Sequence, residues 1–383
     1  MNRFAVILLL VFANHSAAQD TTEIVRTLSI RGYCKNLESL SFDSDFKQTI
    51  AVNLLHQRLN FKYTPTHKIT AAAEFRNRLF WGEEVKLTPD FAKGLRNENE
   101  AINLQQSWIN NNSIVLHTNI ERLSIEYRDS TWNAKLGRQR INWGMTTHWN
   151  PNDIFNAYNF LDFDYEERPG VDGARYQQLL SQAANIEFAY AYSASPSNHV
   201  AAAKYNINKS GYDLQFIAGV YKAQISIGAG WAGNIKNTGF KGEAQYFWSN
   251  GDSTRQFNLA VEADYVWRNG WYANVGLLYN NNGVSKPVTD WSTINLKLSP
   301  KNLMPTKWSF IGVVSKEITP LFSVNTSVLY SPGSNLFIVF PSAKYNIAAN
   351  LDVDIIWQSY FVTLLTNFEA INHRAFLRVK WSF

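Results

Sequence analysis

The 383-residue chain has one cysteine, Cys34, so no internal disulfide can form. Small exported domains more often rely on such bridges; stability here must come from backbone pairing and burial. Nor does the chain hold an apolar run near the ~18 residues that a membrane-crossing helix needs. Phe4 to Ala13 is apolar, but it is shorter and lies at the start of the chain. Linkers, low-complexity tracts and composition shifts are also lacking, so nothing divides the chain into domains. Chemical signatures are thin. There is no G-x-S-x-G elbow, no H-E-x-x-H and no Cys/His cluster, so no enzyme, metal site or cofactor is indicated. A formal charge of +5 is modest and gives no reason to invoke nucleic acid.

What is present is aromatic and alternating. Aromatics make up 14% of the chain, with 13 Trp and 18 Tyr. The mean hydropathy of −0.26 is low for a helical membrane protein. It suits a transmembrane β-barrel, in which only alternate residues face lipid. Arg3, the apolar stretch to Ala13 and Ser16-Ala17-Ala18 have the order of a secretory leader. The expected division is therefore a signal peptide over 1–18 and one barrel domain over 19–383.

The last stretch, Arg374 to Phe383, has clean period-two alternation. Ala375, Leu377, Val379, Trp381 and Phe383 share one face; Arg374, Phe376, Arg378, Lys380 and Ser382 share the other. Eighteen such segments can be read, with sixteen as the alternative count. They are about 23–35, 49–63, 68–81, 114–128, 132–143, 172–180, 185–193, 200–207, 211–221, 223–231, 239–248, 256–267, 271–280, 306–316, 321–330, 336–347, 351–360 and 373–383. Leu351, Val353, Ile355 and Trp357, for example, oppose Asp352, Asp354 and Gln358. Ionised residues on the second face are too many for a dry core, but a water-filled interior tolerates them. Connections alternate between short ones, such as Asp129-Ser130-Thr131, and long ones, such as Gly144 to Val171. Short periplasmic turns and long outer loops are the rule for antiparallel outer-membrane barrels. The tight turn at Tyr221 to Ala223, on the long-loop side, is the exception.

Inward charges sort by sign. Arg58, Arg76, Arg78, Arg138, Arg140, Arg374, Arg378 and Lys380 fall on early strands and the last, which closure makes neighbours; they are expected to form one basic, pore-lining wall. The phase near Arg138 is open, because alternation gives way there to G-R-Q-R. The 144–171 loop carries Asp162, Asp164, Glu166 and Glu167 among many aromatics. It is expected to fold into the barrel and face the basic wall as a constriction. Trp381 and Phe383 are expected to act as an assembly signal.

L-G-R-Q-R-I-N-W-G, Leu136 to Gly144, precedes the long loop and R-P-G-V-D-G-A-R. Together with H-Q-R-L-N-F-K-Y and A-E-F-R-N-R-L-F-W-G in Leu55 to Gly82, it resembles porin-like outer-membrane barrels of the alginate-export and related groups, especially those of Bacteroidetes-type bacteria. The resemblance implies a passive channel with an electropositive interior. The expectation is an outer-membrane porin of a Gram-negative cell passing small hydrophilic solutes. Its partners are membrane lipid and the barrel-assembly machinery, with a homo-oligomer left open. Alternatives are a selective channel for anionic saccharides and a surface barrel that binds or hydrolyses.

Overall fold

The computed structural model describes residues 27–96, 100–157, 169–249, 255–287, 297–364 and 367–383. Among them the strands are β1 (Leu28–Phe42), β2 (Thr49–Thr66), β3 (Ile69–Gly82), β4 (Gln105–Asn111), β5 (Ile114–Arg128), β6 (Trp132–Gln139), β7 (Val171–Ser181), β8 (Ala184–Ala191), β9 (Val200–Lys209), β10 (Tyr212–Tyr221), β11 (Gln224–Ile235), β12 (Thr238–Trp248), β13 (Gln256–Val266), β14 (Trp271–Asn280), β15 (Trp308–Thr319), β16 (Phe322–Ser331), β17 (Leu336–Ala348), β18 (Leu351–Leu364) and β19 (Asn367–Ser382). Two short helices, α1 (Glu83–Leu87) and α2 (Phe91–Gly94), follow β3. The proposed leader and the four acidic residues Asp162, Asp164, Glu166 and Glu167 lie outside the described residues.

Consecutive strands pair antiparallel around the ring, except that β3 pairs with β5 past β4, and β1 pairs with β19 from Tyr33↔Ser382 to Phe42↔His373. The result is a closed antiparallel barrel of 18 strands, with β4 as an extra piece on the wall. Closure leaves no strand edge around the ring, the condition for a sheet placed in lipid. At the seam Gly32 and Phe383 exchange both backbone hydrogen bonds at 2.9 Å. A Cβ on Gly32 would stand 2.2 Å from the Arg58 carbonyl and 2.8 Å from the Phe383 ring, so only glycine fits.

Connections at one end are tight turns, as between β5 and β6 or β7 and β8. The other end carries the long segments 83–113, 140–170 and 281–307. The tight connection on that side, Lys222-Ala223, has φ of 49° and 64°. Two positive φ values are what a type I′ hairpin requires; it is a true strand reversal, and the count of eighteen stands.

Four elements differ from the sequence reading, the last hairpin among them: β18 runs on to Leu364 and β19 starts at Asn367, so most of 361–372, left between strands in the sequence, is paired strand. The first strand runs Leu28–Phe42, later than 23–35, because its outward row of Cys34, Asn36 and Glu38 is polar and hides the alternation. The segment 132–143 stops being a strand at Gln139. Gly137 has φ +109°, where a Cβ would lie 2.3 Å from the Leu123 carbonyl. That conformation breaks the alternation and turns Arg138 inward, leaving it 2% exposed. Strand β4, Q-Q-S-W-I-N-N, carries almost no apolar signal. It borrows the outer half of β5, from Ile114 to Asn119, where β6 has already ended.

The outward rows are apolar and exposed, as at Phe188, Phe216, Ile227, Val275 and Ile355. Aromatics gather at both ends of these rows: Tyr127–Trp132–Tyr176 and Trp381–Phe383 beside the short turns, Tyr246–Trp248 and Tyr279–Trp308 beside the long loops. Such paired girdles flank the lipid band of a transmembrane barrel.

Candidate functional site

The interior is two different surfaces. Toward the long-loop end, inward apolar side chains of β8–β17 are covered by chain, interspersed with buried polar ones such as Gln245, Asn258 and Asn280. Ile141, Trp143, Ile154 and Phe155 pack on Ala189, Val200, Ile217 and Phe247. Trp149, Leu303 and Met304 pack on Ala260, Leu278, Ile311, Leu329 and Ile338. Segments 141–157 and 297–306 therefore lie inside the barrel, each burying an apolar face as an ordinary core would.

Polar bonds fix the first segment in place. Glu243 on β12 accepts the backbone N–H groups of Met145, Thr146 (2.6 Å) and Asn152 (2.9 Å), and the hydroxyl of Thr146 at 2.8 Å. Glu262 on β13 accepts the N–H groups of Thr147 and His148, both at 2.8 Å. Asn152 Nδ2 donates to the Ala229 carbonyl, Gln215 Nε2 to the Trp143 carbonyl, and Trp143 Nε1 to Glu187. Inward Gly228 and Gly230 leave room for this seating, since a Cβ on Gly228 would stand 2.6 Å from Asn152 Oδ1. A buried carboxylate is tolerated only when its lone pairs are filled, and here the loop backbone fills them.

The opposite surface is polar and basic. Across the seam the inward register runs Lys380, Lys35, His56, Arg78, His117 through β19, β1, β2, β3 and β5. One step toward the short turns, Arg58 pairs in register with Arg76. Their charge is met by acids that sequence reasoning passed over. Glu121 accepts Arg58 Nη1 at 2.7 Å and Arg76 Nη1 at 2.9 Å, and Arg58 also bonds Glu74. Glu121 sits in a β-bulge, where the β3–β5 register slips between Glu74 and Phe75. Bulges re-aim a side chain, and period-two counting does not reveal them.

The eight basic residues read from the sequence have different placements. Arg76, Arg78 and Arg374 line a cavity of about 790 Å³ at the long-loop end, together with Arg96, Glu84, Glu100, Glu121, Gln358 and Tyr360. Arg78 also donates to the Leu95 carbonyl just past α2. Arg58 is 1% exposed inside its ion pairs. Arg138 is knotted into the wall: it bonds Asp172 at 2.8 Å and Glu100 at 2.9 Å, and donates to the carbonyls of Ile120 and Ile102. Arg378 Nε donates to Asp354 at 2.9 Å, and Lys380 Nζ stands 4.6 Å from the centre of the Tyr33 ring. Arg140 is exposed just beyond β6. The cavity lies between the basic wall and residues Phe155, Asn156, Ala157, Pro169 and Gly170 of the inserted segment.

The fold is thus that of a porin-like barrel of 18 strands with chain folded into its lumen. Solved structures share it. OccAB4 of Acinetobacter baumannii matches with a TM-score of 0.59 at 12% identity, over 93% of this chain and 98% of that one. A BenF-like porin from Pseudomonas fluorescens Pf-5 matches at 0.60 and 8%, over 93% and 99%. OccK5 (OpdH) of Pseudomonas aeruginosa matches at 0.60 and 8%, over 93% and 98%. No protein-family model and no curated protein matches the chain.

Proposed function

We propose that the protein is an outer-membrane channel for passive diffusion of small hydrophilic solutes. The path would run along the basic wall of β19, β1, β2, β3 and β5, past the inserted segment 141–157. The observation that carries this reading is the cavity of about 790 Å³ inside a closed barrel, where Arg76, Arg78, Arg96 and Arg374 stand among apolar side chains such as Leu54 and Phe80. The apolar outer wall and its two aromatic girdles support placement in lipid. The leader-like start of the chain supports export, and the alternation ending at Trp381 and Phe383 supports recognition by the assembly machinery. The BenF-like and Occ barrels share the architecture.

Opposed charges across a narrow pore order water and select small polar or charged solutes. The cavity wall includes Glu84, Glu100 and Glu121 beside its arginines. A second reading, a channel for anionic saccharides of the alginate-export kind, is favoured by Arg374, which is exposed in the cavity beside Gln358 and Tyr360. Planar-bilayer recording under a salt gradient tests both. An ohmic pore whose reversal potential favours anions, and loses that preference in R76Q/R78Q/R374Q, supports an anion path. An ohmic pore with no preference supports the general porin. A barrel that inserts and never conducts overturns the channel reading.

A further inference from the structure

From β8 through β14 no outward strand position toward the lipid holds an amide or a carboxylate. The wall formed by β1, β2, β3, β5 and β4 is different. Gln57, Asn77 and Thr118 occupy one outward row across β2, β3 and β5, and the row is hydrogen-bonded along its length. Trp108 Nε1, on β4, donates to Thr118 Oγ1 at 3.0 Å; Thr118 Oγ1 donates to Asn77 Oδ1 at 2.7 Å; Asn77 Nδ2 donates to Gln57 Oε1 at 3.4 Å. Gln57 is exposed and ends the chain of bonds, with its Nε2 donors still available among the described residues. Leu55, Leu79 and Leu116 form the neighbouring outward row, and Glu38 and Asn53 stand beyond it.

These amides do not sit at the membrane surface. Strands rise about 3.3 Å per residue and tilt about 40° in such barrels, whose apolar band is ~25 Å tall. Gln57 is six residues above Tyr63 and Asn77 four below Trp81, so both lie roughly mid-band. A polar side chain facing hydrocarbon is costly unless bonded, and the same wall carries Trp108 at 67% exposure.

We infer that this outer wall is a contact between two copies of the chain within the membrane. The occupant is a second copy because a carboxamide both donates and accepts, so the row is its own complement. A two-fold axis near Asn77 sets the Gln57 donors of each chain against the acceptors of the other row, as an isologous interface requires. The leucine row between the polar rows supplies the apolar packing. The inference rests on the membrane-channel reading.

The test uses the full mature chain in lipid nanodiscs, with insertion scored by heat-modifiable migration. Native mass spectrometry is expected to give a dimer. Q57L/N77L/T118V is expected to raise its dissociation constant at least tenfold while insertion is kept. Cys34, which pairs with Gln57 in register, is the chain's one cysteine. Spin labels there are expected to give a single inter-chain distance in the otherwise unmodified protein, whether or not the triple variant folds. Insertion as a monomer overturns the interface alone, as does a triple variant that dimerises undiminished. A dimer that cross-links through A218C on the far wall, rather than through Cys34, does the same. Failure to insert overturns the channel reading and the interface with it.

Discussion

Glu243 and Glu262 hold the inserted segment against the wall, and exchanging them for glutamine should release it. Glutamine keeps one carbonyl oxygen but sets an N–H donor where the other carboxylate oxygen stood. At Glu243 that oxygen receives the Asn152 N–H, while the first receives Met145 and Thr146. Whichever way the amide turns, at least one donor meets another donor, and the remaining bonds lose their charge assistance. A hydrogen bond to a charged group contributes about 1.5–3 kcal/mol, so E243Q should weaken docking by roughly 2–4 kcal/mol. Each 1.4 kcal/mol is a factor of ten; the undocked population should then rise about 30- to 700-fold. E262Q should act in the same direction through Thr147 and His148. Single-channel recording in planar bilayers reads this as open-channel noise and brief steps to higher conductance. Both should be larger in the double variant than in either single one, because the two carboxylates hold adjacent residues. A double variant with wild-type conductance and noise would show that apolar packing of Trp143, Trp149 and Ile154 alone keeps the segment seated, and the carboxylate argument would be wrong.

Three further outcomes follow from local geometry. G137A should lower the urea midpoint of the folded barrel sharply, because φ is +109° and the new Cβ would lie 2.3 Å from the Leu123 carbonyl. G211A, with φ +80° but nothing within 4 Å, should cost only the strain of about 1–3 kcal/mol; equal effects would refute the steric account. F383A should slow formation of heat-modifiable barrels and leave the conductance of assembled ones unchanged, since the Phe383 ring packs at the Gly32 seam, away from the cavity. In the short turns Lys68 Nζ bonds Asp129 at 3.0 Å, which holds the Asp129 carboxyl below its ordinary value and the Lys68 amine above its own. A depressed carboxyl contributes stability above its unfolded pKa and loses it as pH falls through the folded one. A raised amine contributes below its unfolded pKa and loses that as pH rises through the folded one. The difference between wild type and D129N in urea midpoint should therefore be flat from about pH 5 to 9 and shrink outside that window; a difference that peaks below pH 3 would contradict the pairing.

Strand count and wall phase were legible because lipid on one face and water on the other enforce alternation over most of the ring. Legibility failed where another requirement governed the side chain. Outward Cys34, Asn36 and Glu38 hid the extent of β1 from any hydropathy rule. Gly137 and the bulge at Glu121 reversed the phase locally, and neither leaves a periodic trace. The inserted segment was visible in outline through Trp149 and Phe155, residues that an exposed loop seldom carries. Its anchors were not: Glu243 and Glu262 look like any other inward acids until loop backbone is seen on them.

One signal for the filled half of the lumen was nevertheless in the strands. Near the long-loop end several are apolar on both faces, as at Leu277-Leu278, Val328-Leu329 and Phe337-Ile338-Val339. Outward members of these pairs meet lipid, but Leu278, Leu329 and Ile338 point inward and are 0–2% exposed. A water-filled pore gives no reason for such residues, so their presence requires chain to cover them, and 141–157 and 297–306 do. The early strands double at that end too, at Leu79-Phe80-Trp81 and Ile114-Val115-Leu116, and there Val85 of α1 and Ala92 and Phe91 of α2 supply the cover for Phe80 and Val115.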